Sequence, residues 1–223
     1  MKTYNTIEVT IKDQIAFVWL NRPEVRNALN AEMISELSDV TNQINAESMD
    51  VRGLVLQGNG KVFSAGADIN WMKAMAQNSS EENRKNGEKL YDLFNRFYHL
   101  SVPTITLVHG ASIGGANGLL AASDMVLTES NTQFRFSEVK IGLVPATIAP
   151  FVTRRTGTHL AKYYMLTGKN FSAEDALRIG LSDSIGSRES IETELDILIK
   201  ELNNNSPEAV RETKILLNKI DQN

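Results

Sequence analysis

Two short runs of small residues carry the chemistry this sequence can be expected to do. One is Val108-His109-Gly110-Ala111-Ser112-Ile113-Gly114-Gly115-Ala116-Asn117-Gly118, the other Phe63-Ser64-Ala65-Gly66-Ala67-Asp68-Ile69-Asn70. The glycine-rich run fits three chemistries unequally. A dinucleotide site needs G-x-G-x-x-G after a strand, and that spacing is absent. A phosphate-binding P-loop needs Gly-Lys-Ser/Thr, and the run holds no lysine. Gly110-Ala111-Ser112-Ile113-Gly114 does match the G-x-S-x-G of a hydrolase nucleophile elbow. That mechanism needs an acid and then a histidine further along, yet His159 is the only histidine after Ser112 and no HGGG-like segment precedes the serine. The serine-hydrolase reading is therefore disfavoured. His109 reads as a packed turn residue, and His99 and His159 stand in helical contexts without a partner signature. The second run, taken alone, reads as a tight turn with small residues for packing. Taken with the first, it offers main-chain N–H groups that a ligand can approach closely. Two such amides converging on one point form an oxyanion hole.

The elements that must position these runs are legible from periodicity. Ile7 to Ile11 and Ile15 to Leu20, around Lys12-Asp13-Gln14, suggest a hairpin. Asn30 can cap a helix from about Ala31 to Ile44, with Met33, Leu37 and Val40 on one face. Val51 to Leu56 is a β-branched run closed by Gly58-Asn59-Gly60, and Thr104 to Val108 is a second such strand. Between them a helix is expected from Ser80, as its cap, to about Leu100. An apolar helix around Gly114 to Ala122 and a strand at Met125 to Thr128 follow. Strands alternating with helices predict βαβ units and a largely parallel sheet. Thr158, Ser172 and Ser206 each open a helical pattern, Pro207 standing where a first-turn proline belongs. The chain from about Ala149 onward thus reads as helices packed beside the sheet.

Composition removes several alternatives. At 223 residues, with 42% hydrophobic and 22% charged residues, the sequence suits a globular domain with an ample core. The absence of cysteine excludes disulfides, thiolate metal sites and a cysteine nucleophile, and fits a reducing, cytoplasmic setting. A formal charge of −4 argues against general nucleic-acid binding. No stretch approaches the roughly 20 apolar residues that span a bilayer. The N-terminal MKTYNTIEVTIKDQ has no apolar core and reads as the start of a strand, so no secretion signal and no membrane partner are expected.

In order and separation, these runs resemble the enoyl-CoA hydratase/isomerase (crotonase) superfamily. The resemblance begins at Asn21-Arg22-Pro23-Glu24-Val25-Arg26-Asn27-Ala28-Leu29, similar to the family's N-R-P-x-x-x-N-A-L stretch. It continues through Ser64 to Ile69, His109 to Gly118, Gln133 to Glu138 with Ile141 to Pro145, Leu166-Thr167-Gly168 and Ala173 to Gly180, and so covers nearly the whole chain. It implies an α/β fold: a spiral core of ββα units over residues 1–190, then a helical region of the trimerisation type over 191–223, assembled as a homotrimer or hexamer. It implies that an acyl-CoA thioester is the substrate, with no metal, nicotinamide or flavin cofactor. The thioester oxygen would rest on the backbone N–H groups of Ala67 and Gly115. Val25, Arg26 and Ala28, with Ala65, Asp68 and Ile69, would contact coenzyme A, Arg26 nearest the phosphates. Trp71, Met72, Met75 and Phe136 are candidates for the acyl pocket or for plain core.

Hydratases of this family use two glutamates. One maps onto Glu138; Ala146, after Pro145, maps onto a further amide that orients the water. The other glutamate would fall at Gly118, where it is missing. Asn117 is adjacent but points about 100° away on a regular helix. One carboxylate suits a Δ3,Δ2-enoyl-CoA isomerase, whereas Ser64 to Met72 and Ser137 to Ile148 look like bacterial methylglutaconyl-CoA hydratases, some of which lack the same glutamate. The leading expectation is a hydratase acting on a 2-enoyl-CoA in fatty-acid or leucine breakdown. An isomerase using Glu138 alone and a silent acyl-CoA- or RNA-binding relative are the alternatives. Relatives commonly continue with another helix after the stretch resembling Ser206 to Ile220, which leaves the completeness of the helical region open.

Overall fold

The computed structural model describes residues 2–47, 49–75 and 77–220, the side chain of Met75 excepted. In chain order the first strands are β1 (Ile7–Lys12), β2 (Ile15–Leu20), β3 (Gly53–Gly58), β4 (Thr104–Val108) and β5 (Ala111–Ile113). They are followed by β6 (Met125–Glu129), β7 (Gln133–Arg135), β8 (Asn170–Ser172) and β9 (Ser184–Gly186). The helices are α1 (Ala31–Asn45), α2 (Ile69–Met75), α3 (Ser80–Tyr98), α4 (Ala116–Ala122), α5 (Ala149–Thr156), α6 (Thr158–Thr167), α7 (Ala173–Arg178), α8 (Arg188–Asn204) and α9 (Pro207–Ile220).

The hairpin forms as its pattern predicts. β1 and β2 pair antiparallel from Ile7↔Leu20 to Lys12↔Ile15, and the two-residue turn Asp13-Gln14 holds positive φ at both positions, as a tight hairpin turn requires. The rest of the main sheet is parallel, in the order β1-β2-β3-β4-β6-β9. Both its faces are covered, which is why its strands read as nearly unbroken apolar runs. On one face Ile15, Val55, Ile105, Leu107 and Leu127 pack against Ile191 and Leu195 of α8. On the other, Val18, Leu20, Leu54, Leu56 and Val126 join the large core with Met33 and Leu37 of α1, Phe94 and Phe97 of α3 and Leu119 of α4.

The start of α3 differs from expectation in a definite way. Ser79, not Ser80, is the cap: its hydroxyl accepts from Glu82 N at 3.2 Å while Glu82 reaches back to Ser79 N at 2.8 Å, a complete capping box. Asn30 caps α1 as expected, accepting from Met33 N at 2.9 Å. Periodicity did not reveal β5, β7 and β8, which form a second, three-stranded sheet in the order β5-β7-β8. Three-residue strands are too short to show alternation.

A division at residue 190 falls inside α8. That helix packs on the main sheet, and α9 is tied to it by Lys214, whose buried ammonium donates to Val102 O at 2.9 Å and to Asp124 Oδ2 at 2.6 Å. Burial pushes the Lys214 ammonium down, and the Asp124 carboxylate pulls it back up by a smaller amount. Among the described residues no helix is long and apolar enough to cross a membrane.

Candidate active site

The two small-residue runs lie side by side. Ser64 and Ser112 form a parallel bridge: Ser64 N donates to Ala111 O and Ile113 N donates to Ser64 O, each at 3.1 Å. Ala67 and Gly115 each lie three residues beyond that bridge, so one register carries both. Contact between the runs is close enough to demand glycine. A Cβ on Gly66, whose φ is +86°, would stand 2.5 Å from Ile113 O.

The surrounding hydrogen bonds explain why these two amides are left over. Leu29 bridges Ala67, donating to Gly66 O at 2.7 Å and accepting from Asp68 N at 2.9 Å. In a parallel ladder the bridged residue turns its own N–H to the other side. Ala67 N–H accordingly has no protein acceptor among the described residues. Gly115 N–H has none either, although Gly114 N donates to Arg135 O at 2.8 Å and Gly118 N to Gly115 O at 3.0 Å. Both residues line one cavity of about 700 Å³.

Glu138 lines the same cavity, at the start of a 3-10 turn (Glu138–Ile141) that follows β7. Its Oε1 would lie 3.4 Å from a Cβ on Gly114, so the carboxylate sits beside the residue preceding the Gly115 amide. Its Oε2 is buried without a hydrogen-bond partner among the described residues. Burial pushes the Glu138 carboxyl above the usual range, and the amides of Glu138 and Ser137 pull it down by less.

The position of the missing glutamate is physically filled. A Cβ on Gly118 would meet the Phe94 ring at 2.7 Å and Ile148 Cγ2 at 2.8 Å. No acid longer than glycine fits there with those two side chains in place. Ser112, the elbow candidate, is fully buried and donates to Asn117 Oδ1 at 2.8 Å. Asn117 in turn donates to Arg135 O at 2.9 Å. The Ser112 hydroxyl is thus committed, through Asn117, to holding β5 against β7. His109 is a packed turn residue, its ring 3.0 Å from Gly60 O.

The remaining sequence-derived residues divide. Ala65, Ile69, Trp71 and Met72 line the cavity. Val25, Arg26, Ala28, Asp68 and Ala146 stand outside that lining, and Phe136 is core, packed against Phe171. Val25 and Arg26 are exposed on the turn after β2, where Arg26 O accepts from Ala65 N at 2.9 Å. The Ala146 amide already donates to Val144 O at 2.8 Å, so in this conformation it has no N–H to offer a water. Asp68 is occupied structurally: it pairs with Arg22 Nη1 at 2.9 Å and accepts from Asn70 N at 2.8 Å at the start of α2. Burial alone would raise its pKa, but Arg22 and the Asn70 and Trp71 amides outweigh it and hold Asp68 below the usual carboxylate range. The side chain of Met75 lies outside the described residues.

The roles of two groups of residues escaped sequence reasoning. Asn27 is fully buried, and its amide donates to Asn59 O, Val62 O and Phe63 O at 2.7, 3.0 and 3.1 Å, stapling the turn after β3. Asn86, Gly87 and Leu90 bring α3 to the cavity wall. Gly87 in mid-helix was the available signal, since an isolated helical glycine usually has a packing reason.

The chain matches the family model described as Enoyl-CoA hydratase/isomerase over residues 10–222. It belongs to that family. Similar proteins include the short-chain-enoyl-CoA hydratase of Clostridium acetobutylicum, 31% identical over 217 residues covering 96% of this chain and 82% of the relative. The bacillaene synthase dehydratase PksH of Bacillus subtilis is 31% identical over 198 residues, 89% of this chain and 73% of its own. Among solved structures, an enoyl-CoA hydratase from Shewanella pealeana superposes with a TM-score of 0.94 at 36% identity, covering 98% of this chain and 81% of that one. The crotonase-type α/β fold with a helical C-terminal region follows for this family member.

Proposed function

We propose that the chain is an enoyl-CoA hydratase that adds water to a 2-enoyl-CoA thioester with Glu138 as its single carboxylate. The observation that carries this reading is the unpaired state of the Ala67 and Gly115 amides on a cavity they share with Glu138. Hydration places negative charge on the thioester oxygen, and two preorganised backbone donors stabilise it without any protonation state of their own. Ionised Glu138 takes a proton from water as the water oxygen bonds to C3. The electron pair of the double bond moves to the thioester oxygen, giving an enolate. Protonated Glu138 then returns that proton to C2, and the enolate collapses to the 3-hydroxyacyl thioester. One acid can serve both steps when its pKa is raised towards the working pH, which is the effect of its burial. The names of the hydratase and dehydratase relatives support a lyase.

The filled space at Gly118 favours a second reading, a Δ3,Δ2-enoyl-CoA isomerase in which Glu138 carries a proton between C4 and C2. The conjugated-thioester absorbance separates the two. Loss of absorbance with a 2-enoyl-CoA is the expected result; gain with a 3-enoyl-CoA and no loss with the first would replace hydration by isomerisation. Binding without either change would leave a silent acyl-CoA-binding protein. A methylglutaconyl-type substrate and a homotrimeric, cytoplasmic enzyme belong to the same proposal. They rest on the family resemblance and are tested by a substrate panel, by mass in solution and by fractionation.

A further inference from the structure

Trp71 and Asn86 line the acyl cavity and also a second one, of about 390 Å³, lying along the groove between α1 and α3. The α1 positions facing this groove, Ala31, Ile34, Ser35, Ser38, Asp39 and Asn42, follow helical periodicity, and α3 adds Lys89 and Asp92 at its rim. From Asn86 the groove runs along α3 to Arg96, about 15 Å at the helical rise per residue. Its far end is closed by Arg96 Nη1 donating to Asn42 Oδ1 at 2.7 Å. The two spaces therefore share the indole of α2 and the amide of α3 as a common wall. We propose that Trp71 is the specificity-determining partition that stops the acyl chain, making the preferred substrates short-chain thioesters, and that removing it joins the cavities into one tunnel for a longer chain.

This proposal rests on the acyl-CoA reading of the main cavity. The physical basis is burial: each methylene taken out of water is worth about fourfold in affinity, so a tail denied the groove forgoes that gain. With the indole present, carbons beyond the partition are turned back towards solvent. Without it, they lie between α1 and α3, over Ala31 and Ile34.

The test compares butyryl-CoA with decanoyl-CoA in binding, and crotonyl-CoA with 2-decenoyl-CoA in turnover, for wild type, Trp71→Ala and Trp71→Leu. The expected result is a rise of about tenfold or more in the long-to-short ratio for Trp71→Ala, a smaller rise for Trp71→Leu, and reversal when Ser35→Trp is added to fill the groove. An unchanged ratio in both Trp71 variants, or a gain that survives Ser35→Trp, would overturn the partition. If wild type binds both saturated thioesters but turns over neither enoyl-CoA, the proposed reaction falls while the binding ratio still decides the role of Trp71. If it binds neither, both fall.

Discussion

The two walls of the proposed acyl cavity are built on opposite plans. The wall that carries Ala67 and Gly115 is backbone held by backbone: the Ser64↔Ser112 and Leu29↔Ala67 bridges, the Asn27 staple and the Arg22–Asp68 pair leave little freedom. The wall that carries Glu138 is a 3-10 turn running into a loop whose Ile141, Leu143 and Val144 are 54%, 50% and 81% exposed. Glu138 is anchored there mainly through its main chain, its carbonyl accepting from Leu143 N at 3.0 Å. Charge stabilisation needs donors that do not reorganise as the charge develops. Proton transfer and acyl selection need a group that can follow the substrate. In the proposed mechanism the first task falls to the backbone-held wall and the second to the wall that carries Glu138.

The largest expected effect separates the walls by function. Glu138→Gln should lower kcat by about 10³-fold, the scale of a lost general acid/base, while the dissociation constant for a CoA thioester stays within about threefold. The pH dependence carries the same signature. Because the folded-state pKa of Glu138 is raised, kcat/KM should fall on the acid side at a pH above that of an ordinary carboxylate. The sign for stability is opposite. A group whose pKa is raised by folding favours the native state below its unfolded pKa, and that contribution is lost as pH rises through the folded one. Glu138→Gln should therefore unfold at a temperature equal to or above wild type at neutral pH, as calorimetry would show.

On the backbone-held wall the expected effect is structural. Arg22→Ala leaves the Asp68 carboxylate, with a side chain only 10% exposed, without its cation, at a cost of about 3 kcal/mol in urea unfolding. A cost near that of a surface pair would show that the wall does not depend on it. Gly118→Ala should cost about 2 kcal/mol, because its methyl group meets the Phe94 ring and Ile148. Unchanged stability would mean that Phe94 can yield, and that the space for a second acid is recoverable. The smallest effect belongs to the wall that carries Glu138: Val144→Ser, at an exposed position, should change stability by no more than about 0.5 kcal/mol. Its effect should appear in KM across an acyl-chain series.

How far the sequence exposed this arrangement follows the same division. β1 to β4, β6 and α1 announced themselves through long periodic runs and an Asn30 cap, and Gly66, in its run of small residues, marks a close backbone approach. Ala67, Gly115 and Glu138 came from resemblance, since nothing in a lone Glu-Val-Lys marks a buried acid. The local sequence was silent wherever a long-range contact decides the outcome. That Phe94 and Ile148 occupy the place of an acid at Gly118 is a fact of three distant positions. The Ala146 amide is spent on a turn to Val144, which no pattern around Pro145 reveals. Asp68 is expected as a coenzyme A contact from its motif, and the pairing of its carboxylate with Arg22 across 46 positions is a contact that the motif does not reveal.

The most direct test is a crystal structure of Glu138→Gln with a bound 2-enoyl-CoA. The thioester oxygen should lie about 2.7–3.1 Å from the nitrogens of both Ala67 and Gly115, with the residue 138 side chain facing C2 and C3. A thioester whose oxygen points to any other donor, or an acyl group bound away from residue 138, would contradict it.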